Sequence, residues 1–361
     1  MSSDVGKPGQ MTPACNLRIS VVGLGTVGQW LLRALESGRE RLARRHGVGF
    51  TVVGAANARD GFVSDPQGLD LSALLGLLAS GRSILEQSGV RNWPTAVEGL
   101  RGTDADVLAE VTGSPLDGEP GFAHMQMALE RGMQVVTSNK WPVALHGVAL
   151  AELARRGGVA FRAESTVMSG TPVLAALVEG LAGTRPVGLR GILNATSNFI
   201  LSAMANGRSY EDALTEAEDA GLAERGVEAD IDGSDAMAKT MILAGLVFGR
   251  QLRPDQIVRR GISDVTRAQI DRALADGRTI RHVATLEFAQ PDGAGDVIAR
   301  VEPMLLPHTD PLAGISGTTN AIVCRTAPLG EVTIIGPGAG LELAGQGVLS
   351  DLIAVARARD T

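Results

Sequence analysis

The chain has 361 residues, of which 44% are hydrophobic and 20% charged, a balance typical of globular proteins that excludes a disordered or fibrous chain. The 33 basic and 40 acidic side chains give a net charge of −7, and only 3% of residues are aromatic, so neither the charge nor the aromatic content favours nucleic acid as a partner. Because the apolar stretches are too short to span a bilayer and the N-terminus lacks the apolar segment of a signal peptide, we expect a cytoplasmic protein with no membrane partner.

Strands and helices alternate in the first half of the chain, after a flexible leader at residues 1–16. Residues 17–22 form a β-branched run that stops at a glycine, which is typical of a buried strand, and apolar residues at helical spacing follow from Val27 to Leu35. Further strands are predicted at 50–56, 106–111 and 134–137, with a helix between the last two. This alternation favours an α/β fold, a Rossmann-type doubly wound parallel sheet with helices on both faces.

From about residue 160 the pattern changes to short strands among longer helical segments. The predicted strands are 158–163, 188–193, 296–305 and 321–325. The predicted helices are 172–181, 196–205, 210–221 and 234–248, with a last apolar helix at 349–358. We interpret this half as an inserted α+β domain, so the predicted division is a leader at 1–16, a first domain at 17–157, a second domain at 158–328, and a C-terminal segment at 329–361 that returns to the first domain.

A glycine-rich hexapeptide comes directly after the first strand and opens the first helix. Its residues have G-x-G-x-x-G spacing: Gly23, Leu24, Gly25, Thr26, Val27 and Gly28. The first glycine makes a tight turn, the second lets the backbone approach a pyrophosphate, and the third permits close helix–strand packing. The helix N-terminus then offers free N–H groups to the anion. The pattern predicts a dinucleotide site; the alternative is a turn whose glycines only pack.

The end of the second strand indicates which dinucleotide binds. An acidic residue there would accept a hydrogen bond from the ribose 2′-hydroxyl of NAD, whereas this strand ends with Asn57 and Arg59. Asn57 does not repel a 2′-phosphate and Arg59 can pair with one, so we expect NADP to be favoured. If Arg59 is instead a solvated loop cation, use of both NADP and NAD remains open.

Two polar turns follow later strands of the same predicted sheet. Thr112 lies in the turn after the strand at 106–111, and Lys140 follows the strand at 134–137. Ligands of open α/β sheets bind at the carboxyl ends of parallel strands. This position favours a ligand site for both residues, although a lone lysine after a strand is more often a surface residue.

The densest group of charged residues surrounds the start of the predicted helix at 234–248. Asp235 and Lys239 are four residues apart and therefore share one face of an otherwise apolar helix. A charge on a buried helix has to be paired or line a cleft, and a lysine–aspartate pair beside a nicotinamide can pass a proton to or from a substrate hydroxyl. The acidic residues upstream lack the spacing of a calcium loop and suit the ammonium group of an amino acid. These residues are Glu224, Glu228, Asp230 and Asp232.

Several longer motifs occur in order along almost the whole chain, from about residue 17 to 358. Besides the glycine-rich turn, they occupy residues 137–140, 164–172, 191–201, 221–224, 230–239, 317–322, 329–340 and 349–353. In this order and spacing the chain resembles the homoserine dehydrogenase family. The resemblance implies reversible, NAD(P)-dependent oxidation of L-homoserine to L-aspartate 4-semialdehyde, in threonine and methionine biosynthesis. It also implies that 17–157 binds the dinucleotide and that 158–328 is the catalytic and dimerisation domain of a homodimer.

The resemblance also implies roles for individual residues. The catalytic residues would be Lys239 as the acid–base group, Lys140 as a second active-site lysine, and Asp235. The substrate would be bound by Glu224, Asp230, Asp235 and Thr196. Besides the hexapeptide, the dinucleotide would be bound by Arg59, Thr112, Lys140, Gly221, Glu224 and Gly317. A sodium ion would be held through the backbone carbonyls of Glu164, Val167, Ser169 and Thr171.

Three stretches depart from the family pattern. The usual Asp-Pro after Glu224 is here Gly226 and Val227, the glycine-rich turn at 168–171 is bulkier, and residues 194–198 differ at two positions. These changes keep open the alternative of a related oxidoreductase that acts on another small hydroxy or amino acid. A non-catalytic dinucleotide sensor is disfavoured because the ionisable residues are retained. The resemblance ends near the last residue, so no C-terminal regulatory domain is expected.

Overall fold

The computed structural model describes residues 14–222, 227–290, 295–338 and 340–359. The strands in these ranges are β1 (Cys15–Val22), β2 (Val48–Asn57), β3 (Gly61–Ser64), β4 (Arg91–Trp93), β5 (Val107–Glu110), β6 (Gln134–Thr137), β7 (Phe161–Arg162), β8 (Arg185–Ile192), β9 (Ile257–Arg259), β10 (Arg278–Phe288), β11 (Val297–Pro307), β12 (Thr319–Ala327) and β13 (Gly330–Pro337). The helices are α1 (Thr26–Ser37), α2 (Arg39–His46), α3 (Leu71–Ala79), α4 (Ala96–Gly102), α5 (Gly121–Glu130), α6 (Lys140–Gly157), α7 (Ser165–Met168), α8 (Ala195–Ala205), α9 (Tyr210–Asp219), α10 (Glu228–Ile231), α11 (Ser234–Phe248), α12 (Arg267–Ala275) and α13 (Leu341–Ala358).

The first sheet has the order β4-β3-β2-β1-β5-β6-β7. Strands β2, β1, β5, β6 and β7 are parallel to one another. At the other edge, β3 pairs antiparallel with β2 and β4 pairs antiparallel with β3. Leu108 and Val135 face the core that contains α5 and α6, whereas Ala109 and Val136 face the core that contains α1 and α13. Alternate side chains of the strands are therefore buried on opposite faces, which confirms the doubly wound α/β prediction.

The second sheet has the order β13-β12-β8-β10-β11-β9 and is antiparallel except between β11 and β9. Helices α8, α11 and α12 pack against it. The prediction of a helix at 234–248 is confirmed at both ends, since α11 begins after Gly233 and ends before Gly249, each with positive φ. A glycine with positive φ ends a helix because other residues adopt that conformation at a cost.

Helix α11 also packs against α6, so the two sheets share one hydrophobic core. Small residues allow the close approach: a Cβ on Gly245 would lie 3.5 Å from Val148, and one on Gly147 would lie 3.6 Å from Leu246. The side chain of Gln251 adds a hydrogen bond of 2.6 Å to the Ala144 carbonyl. These contacts hold the C-terminal end of α11 against the first half of α6.

The structure differs from the predicted domain boundaries at two strands. The segment predicted at 158–163 as part of the second domain contains β7, which pairs with β6 in the first sheet. At the other end, β13 lies within the predicted returning segment 329–361 but pairs with β12 in the second sheet, and α13 packs against α1 and β1. The sheet to which a strand belongs depends on pairing between residues far apart in the chain, and local sequence patterns carry no information about that pairing.

Several other elements differ from the predictions or were not predicted. The helix predicted at 172–181 is a wide, π-helical segment at Ala175–Gly180, and the basic run that follows α1 forms its own short helix, α2. Strands β3, β4, β9, β10 and β13 and helices α3, α4, α6, α7, α10 and α12 were not predicted. Among the residues that the structure describes, no helix is both long and apolar enough to span a bilayer.

The turn between β1 and α1 brings the glycines of the hexapeptide into two different environments. A Cβ on Gly28 would lie 1.9 Å from the carbonyl oxygen of Gly23, whereas a Cβ on Gly25 would meet no atom within 4 Å. Gly28 is therefore required by packing within the turn. Nothing in the fold itself requires a glycine at position 25, which suits close approach by a ligand.

We expect Gly28→Ala and Gly25→Ala to separate stability from dinucleotide binding. Gly28→Ala should lower the free energy of unfolding by about 1–3 kcal/mol because its methyl group overlaps the turn. Gly25→Ala should change it by less than about 1 kcal/mol yet weaken dinucleotide binding about tenfold or more. Urea denaturation and fluorescence titration with NADPH measure the two quantities. Equal losses of stability in both variants would contradict this assignment.

Candidate active site

The carboxyl ends of β1, β2 and β5 surround a cavity of about 420 Å³. The glycine-rich turn with Gly23 and Gly25 forms one wall, and Thr112 and Gly113 after β5 form another. The order of the strands reverses at β1, because β2 lies on one side of it and β5 on the other. Open α/β sheets bind nucleotides at such a point. The predicted residues that line this cavity are Gly23, Leu24, Gly25, Arg59 and Thr112. Thr26, Val27 and Gly28 form the first turn of α1, which carries no acidic side chain.

Arg59 lies at the rim of the cavity, where 57% of its side chain is exposed and its guanidinium is held by neighbouring acceptors. Its Nε and Nη2 atoms each donate a hydrogen bond of 3.0 Å to Asp60, and Nη1 donates one of 3.1 Å to the Gly81 carbonyl. Hydrogen bonding from Arg59 lowers the pKa of Asp60 well below its ordinary range. A second guanidinium, that of Arg82, lines the same cavity and pairs with Glu86.

A second group of ionisable residues lies between the two sheets. The Asp235 carboxylate, on the first turn of α11, bonds through Oδ1 to the ammonium of Lys140, and its Oδ2 lies 3.0 Å from Lys239 Nζ. Lys140 is the first residue of α6, directly after β6 of the first sheet. Burial by itself would raise the pKa of Asp235, but the two ammonium groups outweigh it and hold the pKa well below its ordinary value. The structure thus places Lys140 and Lys239 on opposite oxygens of the Asp235 carboxylate.

Lys239 is held by two fixed acceptors. Besides its contact with Asp235, its Nζ donates a hydrogen bond of 2.7 Å to the Leu193 carbonyl at the end of β8. An ammonium group has three hydrogens, so one more can be donated to a ligand. Apart from Lys7, which lies outside the described residues, Lys140 and Lys239 are the chain's only lysines, and all its other fixed cations are arginines.

Asn194 connects the carboxylates of this cluster and was missed as a site residue by sequence reasoning. Its Nδ2 donates hydrogen bonds to Asp230 (2.6 Å) and Asp235 (3.0 Å), while its Oδ1 accepts one from the Ser197 backbone at the start of α8. An asparagine before a helix is usually interpreted as an N-cap only. Its second role depends on where α11 lies.

Asp230 is the other carboxylate that faces this cluster. Burial, together with the Asp235 charge, raises the pKa of Asp230, against the hydrogen bond from Asn194. Thr196 Oγ1 donates its hydrogen to the Leu222 carbonyl at 3.0 Å. The predicted substrate residue Glu224 lies outside the described residues, as does Gly226 of the altered loop.

Besides the first turn of α1, the predicted cofactor residues Lys140, Gly221 and Gly317 do not line the 420 Å³ cavity. Gly317, with φ 61°, is attached to α8, because its N–H donates to Ser202 Oγ and its carbonyl accepts from Asn198. Gly221 follows α9 with φ 66°. The predicted sodium residues Glu164, Val167, Ser169 and Thr171 lie together in the turn around α7.

The chain is similar in sequence to homoserine dehydrogenases over almost its whole length. Residues 23–164 match the family model described as "Homoserine dehydrogenase, NAD binding domain", and residues 172–353 match the model described as "Homoserine dehydrogenase". The chain is 36% identical over 337 residues to an NAD(+)-dependent homoserine dehydrogenase of Pseudomonas canavaninivorans, which covers 93% of this chain and 95% of that protein.

Solved structures agree with the sequence comparison. A crystal structure described as a putative homoserine dehydrogenase from Archaeoglobus fulgidus superposes with a TM-score of 0.82 and 32% identity, over 94% of this chain and 99% of that one. A hyperthermophilic archaeal homoserine dehydrogenase in complex with NADPH superposes with a TM-score of 0.78 and 30% identity, over 95% and 98% of the two chains.

We expect Asp235→Asn to destabilise the fold because it leaves two ammonium groups without their carboxylate. Removing one partner of a buried pair costs about 3–5 kcal/mol, and partial exposure of Lys140 places this case near the lower value. The carboxylate has a lowered pKa, so its stabilising contribution is present above the ordinary value of 3.8 and is lost only as the pH falls below it. The difference in free energy of unfolding from the wild type should therefore be constant between pH 8 and pH 5.

Urea denaturation of both proteins at several pH values measures this difference. Asp232→Asn is the matched control, since Asp232 lies three residues away and pairs with Arg259 at the surface. The control should change the free energy of unfolding by less than about 1 kcal/mol. A difference for Asp235→Asn that already shrinks between pH 8 and pH 5 would contradict the lowered pKa.

Proposed function

This chain belongs to the homoserine dehydrogenase family, NAD(P)-dependent enzymes that interconvert L-homoserine and L-aspartate 4-semialdehyde, and we propose that Lys239 carries the proton of that reaction. One observation carries the proposal: Lys239 Nζ is held 3.0 Å from Asp235 and 2.7 Å from the Leu193 carbonyl, with one hydrogen left to donate. Arginine could make the same ion pair but could not give up a proton near neutral pH. A lysine in a chain that otherwise relies on arginine therefore supports an acid–base role.

In the oxidation, the substrate loses a hydride from its hydroxyl-bearing carbon and a proton from the hydroxyl oxygen. Bound nicotinamide supplies the hydride chemistry in both directions. Lys239 accepts the proton as a neutral amine and returns it as an ammonium in the reduction, so charge and atoms balance. Asp235 keeps the ammonium in place, and Lys140 provides a second positive charge beside the reacting oxygen.

The carboxylates around this lysine pair suit the amino-acid part of the substrate. Asp230 uses one oxygen to accept from Asn194 and can accept from a substrate ammonium group with the other. We assign substrate binding to Asp230, Asp235, Thr196 and Glu224. Gly221, Glu224, Lys140 and Gly317 would complete the dinucleotide site at the substrate end.

We propose that NADP is preferred over NAD. Two guanidinium groups, from Arg59 and Arg82, line the rim of the cavity, and Asn57 stands where an acidic residue would favour NAD. Asp60 supports this role, because its bonds to Arg59 hold the guanidinium at the rim.

A sodium ion would bind the turn formed by Glu164, Val167, Ser169 and Thr171. The Glu164 carboxylate already accepts hydrogen bonds from Leu174 (2.8 Å) and Ala175 (2.7 Å), so the backbone carbonyls are the groups this turn can offer, and such oxygens suit a hard cation.

Replacing sodium with choline at equal ionic strength should lower the activity. Unchanged activity after exhaustive dialysis against a sodium-free buffer would contradict the site.

We further propose a cytoplasmic homodimer that serves threonine and methionine biosynthesis. Exposed branched side chains on the second sheet, Val258, Ile298 and Ile335, support a protein partner for that domain. Sedimentation at the assay concentration measures the oligomeric state, and a monomer would exclude the dimer.

We expect purified protein to reduce NADP when L-homoserine is added, measured by the absorbance of the reduced nicotinamide. Lys239→Arg should lower kcat by about 10²–10⁴-fold while the protein remains folded, because the charge is kept and the proton transfer is lost. Arg190→Lys is the matched control, since it exchanges the same residue types in an ion pair with Asp310 outside the site. Turnover by Lys239→Arg at the wild-type rate would remove Lys239 from the mechanism. Turnover of another hydroxy acid in place of homoserine would favour the related oxidoreductase.

We expect Arg59→Ala to lower kcat/KM for NADP about tenfold or more, the loss typical of one hydrogen bond to a charged group, and to leave kcat/KM for NAD within about threefold. Arg82→Ala should act in the same direction. Arg155→Ala, which removes an exposed arginine paired with Glu152 on α6, is the control and should affect neither cofactor. Equal losses with both dinucleotides would contradict the assignment to the 2′-phosphate.

A further inference from the structure

Glu110 is a fully buried carboxylate that the proposed reaction does not use. It is the last residue of β5, two positions before Thr112 at the wall of the dinucleotide cavity. A buried carboxylate costs stability unless it is paired and hydrogen-bonded, so its presence at the edge of a ligand site calls for a function.

Glu110 is linked to the wall of the cavity through Thr112. Thr112 Oγ1 donates a hydrogen bond of 2.5 Å to Glu110 Oε1. Asn139 Nδ2 in turn donates to Thr112 Oγ1 at 2.9 Å and to the Gly113 carbonyl at 3.2 Å. On the other side, His124 Nδ1 lies 3.5 Å from the same Glu110 oxygen. Among the described residues, Oε2 of Glu110 has no hydrogen-bond partner.

Glu110 determines the direction of the hydrogen bonds that link it to Thr112 and Asn139. Thr112 donates the single hydrogen of its hydroxyl to Glu110 Oε1. The hydroxyl oxygen must then accept from its other neighbour, which places the NH₂ group of Asn139, and not its oxygen, against Thr112 and Gly113. The Thr112 rotamer and the Asn139 amide orientation thus both follow from one acceptor, Glu110 Oε1.

The fit around Asn139 leaves little freedom for another arrangement. A Cβ on Gly121, the first residue of α5, would lie 2.4 Å from Asn139 Nδ2. Asn139 is also almost fully buried and immediately precedes Lys140, the first residue of α6. The network therefore connects the ends of β5 and β6 across the wall of the cavity.

We propose that Glu110 is a positioning residue that fixes Thr112 and Asn139 and thereby sets the affinity for the nicotinamide dinucleotide. The proposal rests on the proposed function in one respect, that the 420 Å³ cavity binds the dinucleotide. Glu110 acts through Thr112, whose hydroxyl oxygen faces the ligand as an acceptor only. Its acceptor oxygen is required for that orientation and not for the reaction.

Direct titration with NADPH, followed by the fluorescence of the reduced nicotinamide, tests the proposal without turnover. Glu110→Leu removes the acceptor and Thr112→Val removes the hydroxyl, and each should raise Kd about tenfold, the loss typical of one hydrogen bond to a charged group. Since both act through the same bond, the double variant should bind about as weakly as the weaker single variant. A product of the two single effects, about a hundredfold, would overturn the proposal.

Conservative variants keep the test informative if Glu110→Leu does not fold. Glu110→Gln retains an oxygen that can accept from Thr112, and Thr112→Ser retains the hydroxyl, so both should bind NADPH within about threefold of the wild type. Thr103→Val is the control for loss of a buried threonine hydroxyl away from the cavity and should leave Kd unchanged. Wild-type affinity in folded Thr112→Val would overturn the proposal, whereas a wild type that binds NADPH but does not oxidise homoserine would contradict the proposed function alone.

Discussion

The Asp235 carboxylate lies between two lysine ammonium groups that come from different sheets. Lys140 follows a strand of the first sheet, whereas Asp235 and Lys239 lie on a helix of the second. Because a buried carboxylate is stable only when it is neutralised, both sheets have to be in place for the cluster to form. The same contact joins the first residue of α6, after the first sheet, to the first turn of α11 beside the second sheet, so the cluster forms only when the two sheets are packed together.

Arginines and lysines occupy different places in the described part of this molecule. Arginines form the ion pairs at the surface and at the rim of the cavity, where a permanent charge and a planar set of donors are useful. Within the described residues, lysine occurs only at 140 and 239, the two positions that contact Asp235. The acidic partners follow the same division: Asp60 fixes an arginine, while Asp235 fixes the two lysines.

Local patterns predicted the elements whose signals are contained within one segment. Helix α11 was predicted at both ends because flanking glycines and a continuous apolar sequence mark it, and the turn after β1 was predicted from its glycine spacing. Strand β7 was assigned to the wrong sheet, and β3 and β4 were not predicted, because a strand of two to four residues carries too little periodicity. The roles of Asn194, Arg82 and Glu110 were missed for a related reason: each depends on a neighbour distant in the chain or hidden below the surface.

The sequence alone determined the class of fold, the dinucleotide turn, the i, i+4 pairing of Asp235 with Lys239, and the family. These properties are encoded in short spacings and in the order of motifs along the chain, which can be recognised without knowledge of the fold. Only the tertiary structure decided that Lys140 reaches the same carboxylate, that Asp60 holds Arg59 at the cavity rim, and that a buried glutamate orients Thr112. The physical reason is that hydrogen bonds and ion pairs act over about 3 Å, and such distances between remote residues are fixed only when strands pair and helices pack.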